Sequence, residues 1–575
     1  MTNQDIAKIL YEMSVLYEME GIEFKPRAYE KAALGVEALD EEVQEIYKRG
    51  GIKALEVIPG VGKGVAFHIE ELLKKGHFPE YERLKKKTPV HISELTHVEG
   101  VGPRTVKVLW RKLKIRNLAD LEKAARAGKI RKIPHFGEKS EQKILKGIEF
   151  LKQTGGRQPL GFLLPQIRSI EAVVRSFPEV EQAVVAGSVR RRKETIGDID
   201  ILVISRRPEK VRERFVALPF IAHVYGAGPT KTNVRLKSGV DADLRVVPNA
   251  SFGAALNYFT GSKNHNVALR ECAVKKGWKL NEYGLFKGKR IIAGKTEEEI
   301  YGKLGLGYIE PEMRENTGEI EAARTGRLPH LITYGDLRGD LQVQTNWTDG
   351  ENSIEEMAQA AMDAGLEYIV ITDHTRSLAM TGGLDEKKLE KQRMAIEALN
   401  KKLKTKGKKF RVLSGAEVNI MKDGSLDIDD RALAKLDVVG AAVHSSFHMS
   451  REAQTRRLVR VMENPHVDIV FHLTGRIINK REPIDLDIDK IVASAKRTGT
   501  ILEINASPER LDIKDDYIRR CVEQGVKMSI DSDAHAATNF SFLEFGIAQA
   551  RRGWATKSDI INAWPAEKMM TFLKR

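Results

Sequence analysis

From about residue 333 to the C-terminus, short hydrophobic runs alternate with helical segments, and run after run ends on a metal-capable side chain. "ITDHT" (371–375), "GAEVN" (415–419), "VHSSF" (443–447), "FHLTGR" (471–476) and "DSDAH" (531–535) all do so. Such alternation predicts a βα-repeat barrel. The run that opens the series, "GDLQVQTNWTDG" (339–350), reads as a strand entering a turn and carries Gln342 and Gln344 two residues apart.

The first half is patterned differently. No β pattern occurs before residue 180, and Ile6, Ile9, Leu10, Met13, Leu16 and Tyr17 recur at helical spacing. "VIPGVGKGVAFHIEELLKKG" (57–76) and "HVEGVGPRTVKVLWRKL" (97–113) repeat at an offset of forty residues, aligning Gly60-Val61-Gly62 with Gly100-Val101-Gly102. "KIPHFGEKSEQKIL" (132–145) is a weaker third copy in which His135 replaces the first glycine. Two glycines in a tight interhelical loop expose backbone N–H groups and a helix N-terminus to a phosphate, without reading base sequence. A single such loop is more often a helix C-cap; two copies followed by basic residues point to DNA.

At 575 residues the chain is too long for one core. No apolar run approaches the ~20 residues that span a bilayer. The start "MTNQDIAKIL" lacks a basic region followed by an apolar stretch, and Cys272 and Cys521 are the only cysteines. A soluble, cytoplasmic chain with no membrane partner is expected. Its net charge of +15 divides into +20 over residues 101–300 and −5 elsewhere. That basic middle suits a polyanion, although charge alone leaves a solvated basic surface equally open.

The strongest chemical signal is "VAGSVRRRKETIGDIDILVIS" (185–205). Asp198 and Asp200 open an apolar strand, and two-residue spacing puts both carboxylates on one face about 6–7 Å apart, able to hold two divalent cations. In "GVDADLRVVP" (239–248), Asp241, Asp243 and Arg245 share a face, so a third carboxylate can join them. Gly187 and Ser188, with Arg190 and Arg191, stand where a strand-to-turn corner could cradle a triphosphate.

"GS" followed by "GDID", the paired hairpins and "YFTGSKNHNVALR" (258–270) together resemble the family X DNA polymerases, over nearly residues 1–316. The resemblance implies that Asp198, Asp200 and Asp243 bind two Mg²⁺ (or Mn²⁺) ions, and that Gly187, Ser188 and Arg191 contact the phosphates of an incoming dNTP. Tyr258, Phe259 and Gly261 would pack on the deoxyribose, Asn266 would reach the base, and Arg270 the template. Gly60, Gly62, Gly100 and Gly102 would hold DNA backbone. Lys263 replaces an acidic residue near the base. His68 stands where vertebrate members carry a Schiff-base lysine, and cannot form the imine.

Residues 333–575 resemble the PHP phosphoesterase domain that bacterial and archaeal family X polymerases commonly carry. In that family nine ligands hold three metals, usually Zn²⁺ or Mn²⁺. Seven match here: Asp349, His374, Glu417, His444, His472, Asp533 and His535. The opening pair is Gln342 and Gln344 in place of histidines; a neutral amide oxygen is a poor donor to Zn²⁺, and the rival, lower-ranked reading is that these carbonyls accept a harder ion such as Mg²⁺ or Mn²⁺. One metal would lose two ligands, keeping Glu417 and Asp533. A second, on Glu417, His444 and His472, and a third, on Asp349, His374 and His535, would survive, leaving fewer than three metals and a weakened nuclease.

The expected architecture is multidomain α/β. It comprises a helical DNA-end-binding domain (1–85), a fingers-like helical domain (86–155), a nucleotidyltransferase palm (156–250), a thumb (251–316), a linker (317–332) and a distorted βα barrel of PHP type (333–575). The leading reading is a monomeric, template-directed DNA polymerase filling short gaps in repair. A metal-dependent 3′–5′ exonuclease or abasic-site endonuclease and a non-catalytic DNA-end scaffold are the alternatives. The acid triad favours the first over the scaffold, and the glutamines weigh against the nuclease.

Overall fold

The computed structural model describes residues 1, 3–22, 24–37, 39, 42–96, 98, 101–153, 157–378 and 381–573. The chain forms two compact units. One comprises Met1–Gln158 with Phe162–Gln166 and Asn479–Arg481; the other holds Pro159–Gly161, Ile167–Ile478 and Glu482–Arg575.

The first unit is helical. Ile6, Leu10, Met13, Leu16 and Tyr17, spaced three and four apart on the helix Asn3–Glu20, are buried in its core. The first and third glycine-loop copies close with the same backbone hydrogen bond, and the described residues of the second carry its counterpart. Val61 donates its N–H to the Ile58 carbonyl at 3.0 Å, Val101 to Val98 at 2.9 Å and Phe136 to Ile133 at 3.0 Å. Gly60 has φ +77°, and His135, its replacement in the third copy, has φ +70°. A β-carbon at Gly60 would come within 2.6 Å of the Lys31 backbone, so that position needs glycine for space as well as for its dihedral. Gly100 lies outside the described residues.

The second unit carries two large sheets. In the five-stranded one the order is Gln182–Val185, Asp198–Ile204, Asp241–Val247, Lys231–Leu236, Ile221–Ala227. The other has seven parallel strands in chain order: Gly339–Val343, Tyr368–Ile371, Arg411–Asn419, Val438–Ala442, Ile469–Val470, Ile501–Asn505 and Met528–Asp531. Val343 bridges to Ala534 in parallel, which brings first strand against last and nearly closes a barrel. Nearly every residue of these strands is buried, as a parallel sheet covered on both faces requires. Because the strands run the same way, their C-terminal ends, where the His, Glu and Asp residues sit, gather at one mouth.

The segment expected as a linker is folded. Glu319–Arg324 is helical, and the fully buried Glu319 carboxylate faces His265 Nδ1 at 2.7 Å and accepts the Asn316 and Thr317 N–H groups. Its small, polar composition reads as a spacer, whereas the buried His265 needs a hydrogen-bonding partner there. Among the described residues no helix is long and apolar enough to cross a membrane.

Candidate active sites

The strands Asp198–Ile204 and Asp241–Val247 pair in parallel, with Asp198 opposite Asp241 and Asp200 opposite Asp243. Ile199 and Ile201 are fully buried on the core side, which leaves Asp198 and Asp200 on the face where Asp243 joins them. Gly187 presses on this group at φ +64°; a β-carbon there would stand 2.5 Å from Asp200 Oδ2. Burial, then the neighbouring Asp198 and Asp243 charges, push the Asp200 carboxyl up to about 7. Asp243 accepts a hydrogen bond from Asn233 Nδ2, with Lys231 Nζ 3.4 Å away. Arg245 and Arg191 act to lower the Asp200 carboxyl but do not outweigh burial and the neighbouring acids, and the buried Ser188 Oγ beside them has no hydrogen-bond partner. This donor set fits divalent cations and an anionic ligand.

The flanking residues surround the same corner. Tyr258 and Phe259, on the helix Phe252–Thr260, meet edge to face at 5.1 Å, and Arg245 lies over the Phe259 ring at 4.4 Å. A β-carbon at Gly261 would sit 3.1 Å from the Arg191 guanidinium. Asn266 donates to the Tyr258 carbonyl at 2.7 Å while its Oδ1 is buried without a partner. Lys263 and Arg270 are exposed.

The arginine cradle is not arranged as the sequence suggests. Arg190 reaches Thr260 and makes a two-pronged pair with Glu297 at 3.0 and 2.7 Å. Glu297 is buried; burial acts to raise its carboxyl, but Arg314 and Arg190 outweigh that and hold it at about 2. A buried carboxylate requires such partners, so Arg190 is a structural cation. Arg191 donates through Nε to Glu315 at 3.0 Å and through Nη1 to the Thr260 carbonyl.

On the first unit, Gly62 and Gly102 are the N-caps of the helices Lys63–Lys75 and Pro103–Leu113, with open space where a side chain would be. Those N-termini are therefore approachable by a phosphate backbone. His68 is half-buried, stacks on Phe78 at 4.3 Å and bonds Tyr29; burial pushes its imidazole pKa down.

At the barrel mouth Glu417 is the hub, and it explains the glutamines. Gln342 Nε2 and Gln344 Nε2 both donate to Glu417 Oε2, at 2.9 and 2.8 Å. His472 Nε2 and His444 Nε2 lie 2.9 and 3.0 Å from Oε1. An ionised carboxylate only accepts, so the amide NH₂ groups must face it; the Gln342 carbonyl in turn accepts from Asn505 Nδ2 at 3.1 Å. Burial acts to raise the Glu417 carboxyl, but His374, His444 and His472 outweigh it and hold it well below the carboxylate range. Asp533 is likewise served, by Asn505 Nδ2 at 3.2 Å and by Arg510 at 3.6 Å. Gln342 and Gln344 thus turn N–H groups to Glu417 and largely fill that position with hydrogen bonds, a poor cation site with Asp533, while Gln344 Oε1 is buried without a partner.

The rest of the mouth is open. Asp349 stands 3.7 Å from His374 Nε2 and 3.8 Å from His535 Nε2, beyond hydrogen-bond reach, and its buried Oδ1 is unpartnered. Asp349, His374 and His535 form one group able to share an ion, and His374, Glu417 and His444 another. The second group differs from the expected Glu417–His444–His472 by taking in His374, whose Nδ1 is 3.6 Å from Glu417. His444 Nδ1 faces Asn419 Oδ1 at 2.7 Å, which orients its ring. Sequence reasoning missed Asn505 and Arg510, although Asn505 ends a hydrophobic run as the ligands do.

Family models match four stretches: a helix-hairpin-helix domain over residues 1–78, a SAM-like helix-hairpin-helix tandem over 92–149, a DNA polymerase beta thumb over 255–315 and a PHP domain over 340–535. The chain is 35% identical over 580 residues to the "DNA polymerase/3'-5' exonuclease PolX" of Bacillus subtilis, covering 100% of both. It is 23% identical over 354 residues to DNA polymerase lambda of Rattus norvegicus, across 54% of this chain and 56% of that one. A probable phosphatase of Thermoanaerobacter matches at 29% over 237 residues, 39% of this chain and 88% of its own.

Proposed function

Because the chain belongs to the family X DNA polymerases that carry a C-terminal PHP domain, we propose that it adds dNTPs to the primer end of gapped or primer–template DNA, filling short gaps in repair. The observation that carries this reading is the meeting of Asp198, Asp200 and Asp243 on two parallel strands, beneath the Gly187 corner. Those three carboxylates would hold Mg²⁺ or Mn²⁺, which supply charge stabilisation for phosphoryl transfer and activate the attacking hydroxyl. Gly187 lets its backbone approach the reacting phosphates, and Ser188 offers a free hydroxyl to them. Arg191 is a cation within reach, and it must exchange its contacts to Glu315 and the Thr260 carbonyl for phosphate oxygens. Tyr258, Phe259 and Gly261 form the wall for the sugar, Asn266 reads the base edge, and the hairpin loops hold the DNA backbone.

The PHP domain is read as a weak phosphoesterase retaining two groups of ligands for Zn²⁺ or Mn²⁺. The whole is read as a monomeric cytoplasmic protein. Extension of a primer across a one-nucleotide gap with Mg²⁺ tests the main reading. Extension by the wild type and none by Asp198→Ala is expected; no extension by the folded wild type overturns it.

A further inference from the structure

Residues of the barrel half reach the nucleotide corner through one ion cluster built around a buried arginine. Arg552 closes the helix Leu543–Arg552 and its side chain is only 2% exposed. It donates to the Arg191 carbonyl at 2.9 Å and to Glu315 Oε1 at 3.2 Å, and it pairs with Asp515. The same Glu315 oxygen receives Arg191 Nε at 3.0 Å. One carboxylate is thus divided between Arg191 of the polymerase half and Arg552 of the PHP half, with Lys193 Nζ 3.9 Å from the same oxygen.

We propose that Arg552 is a positioning residue for nucleotide addition, through which the PHP half sets how firmly Glu315 holds Arg191. The inference rests on the reading of Arg191 as a phosphate ligand. A carboxylate that two guanidiniums share binds each less tightly than one that has a single partner. With Arg552 in place, Arg191 can leave Glu315 for a triphosphate, while its own backbone stays pinned by the Arg552 bond to its carbonyl. Without Arg552 only the more distant Lys193 competes with Arg191 for Glu315, so Arg191 is held back more firmly, and the turn that follows Gly187-Ser188 loses an anchor. A PHP domain with a weakened metal site would on this account still be required by the polymerase.

The test uses the full chain in single-nucleotide gap filling, with KM for dNTP and kcat measured separately. Loss of one charge-assisted contact predicts that Arg552→Gln raises KM for dNTP about tenfold, leaving kcat within about twofold and gapped-DNA affinity unchanged. Adding Glu315→Gln should return KM toward the wild-type value, because the tether itself is then weakened; a merely structural role for Arg552 would show no such relief. Should Arg552→Gln not fold, Arg552→Lys serves: it keeps a cation but cannot span both carboxylates and the carbonyl, so an intermediate KM is expected. An unchanged KM in the folded variant, or a rise that Glu315→Gln does not relieve, overturns the inference. If Arg191→Ala also leaves KM untouched, the phosphate-ligand reading falls and takes the inference with it. If Arg191→Ala raises KM while Arg552→Gln does not, the positioning role alone is refuted.

Discussion

Two acid-centred sites in this chain solve the same electrostatic problem in opposite ways. In the polymerase corner burial and the mutual repulsion of Asp198, Asp200 and Asp243 outweigh Arg245 and Arg191, and Asp200 is pushed up to about 7. The barrel mouth surrounds Glu417 with two amide groups and three imidazoles, and its carboxyl is held well below the usual range. A site that needs divalent cations carries charge the protein itself does not balance. A site whose carboxylate already has donors at 2.8–3.0 Å on both oxygens has part of that demand met from within. What separates them is the ring of imidazoles, joined by two amide N–H groups, that faces Glu417 and that the three aspartates lack.

The largest effect expected from this contrast is at the polymerase corner. Asp243→Ala or Asp200→Asn should lower nucleotide addition by about 10³-fold or more while gapped-DNA binding stays near wild type, because in the proposed reading the acids would hold cations and the hairpins phosphates. Steady-state extension and a binding titration on the same preparation check it. Appreciable extension by either variant would break the assignment of the acid group.

The two sites should also respond to pH with opposite sign when metals are chelated. Asp200 has its folded pKa raised above the unfolded value, so its contribution to stability is present below about pH 4 and is lost as pH rises through about 7. Glu417 has its folded pKa lowered, so its contribution is present above the unfolded value near 4.5 and is lost as pH falls. In EDTA, Asp200→Asn should therefore gain on the wild type by about 2–4 kcal/mol between pH 4 and 7, as read by denaturant unfolding. Glu417→Gln should be destabilising at pH 7 and less so at pH 4. Changes of the same sign in both variants would mean the sites do not differ in charge balance.

How much of this is legible in the sequence follows from how local each signal is. Two-residue spacing in "GDIDILVIS" is enough to put Asp198 and Asp200 on one strand face, and the glycine-loop copies mark hairpin turns in which Gly60 and its counterpart His135 both have positive φ. The glutamines are visible because they interrupt an ordered series of motifs. The partners of Arg190 and Arg191 are not legible, since Glu297 and Glu315 lie more than a hundred residues on, and only their burial creates the demand for a cation. The same holds for Asn505 and Arg510, which act on Asp533 across the barrel, and for Glu319, whose role in a polar segment depends on the buried His265.

The sharpest test of the comparison is to turn the second site into the kind the first one is. Gln342→His with Gln344→His removes the two amide donors from Glu417 Oε2 and offers nitrogen lone pairs in their place. Glu417 and Asp533 would then face an ion instead of N–H groups, so elemental analysis should find about one more metal per chain, and Mn²⁺-dependent hydrolysis of 3′ ends should rise about tenfold. The rise is limited because Asn505 and Arg510 still serve Asp533 and were not selected to orient new imidazoles. The unmodified chain should hydrolyse 3′ ends weakly and still bind metal through Asp349, His374, His535 and His444. Robust nuclease activity in the wild type, abolished by His444→Ala, would show that an amide-closed carboxylate does not disarm the mouth, and the contrast drawn between the two sites would fail there.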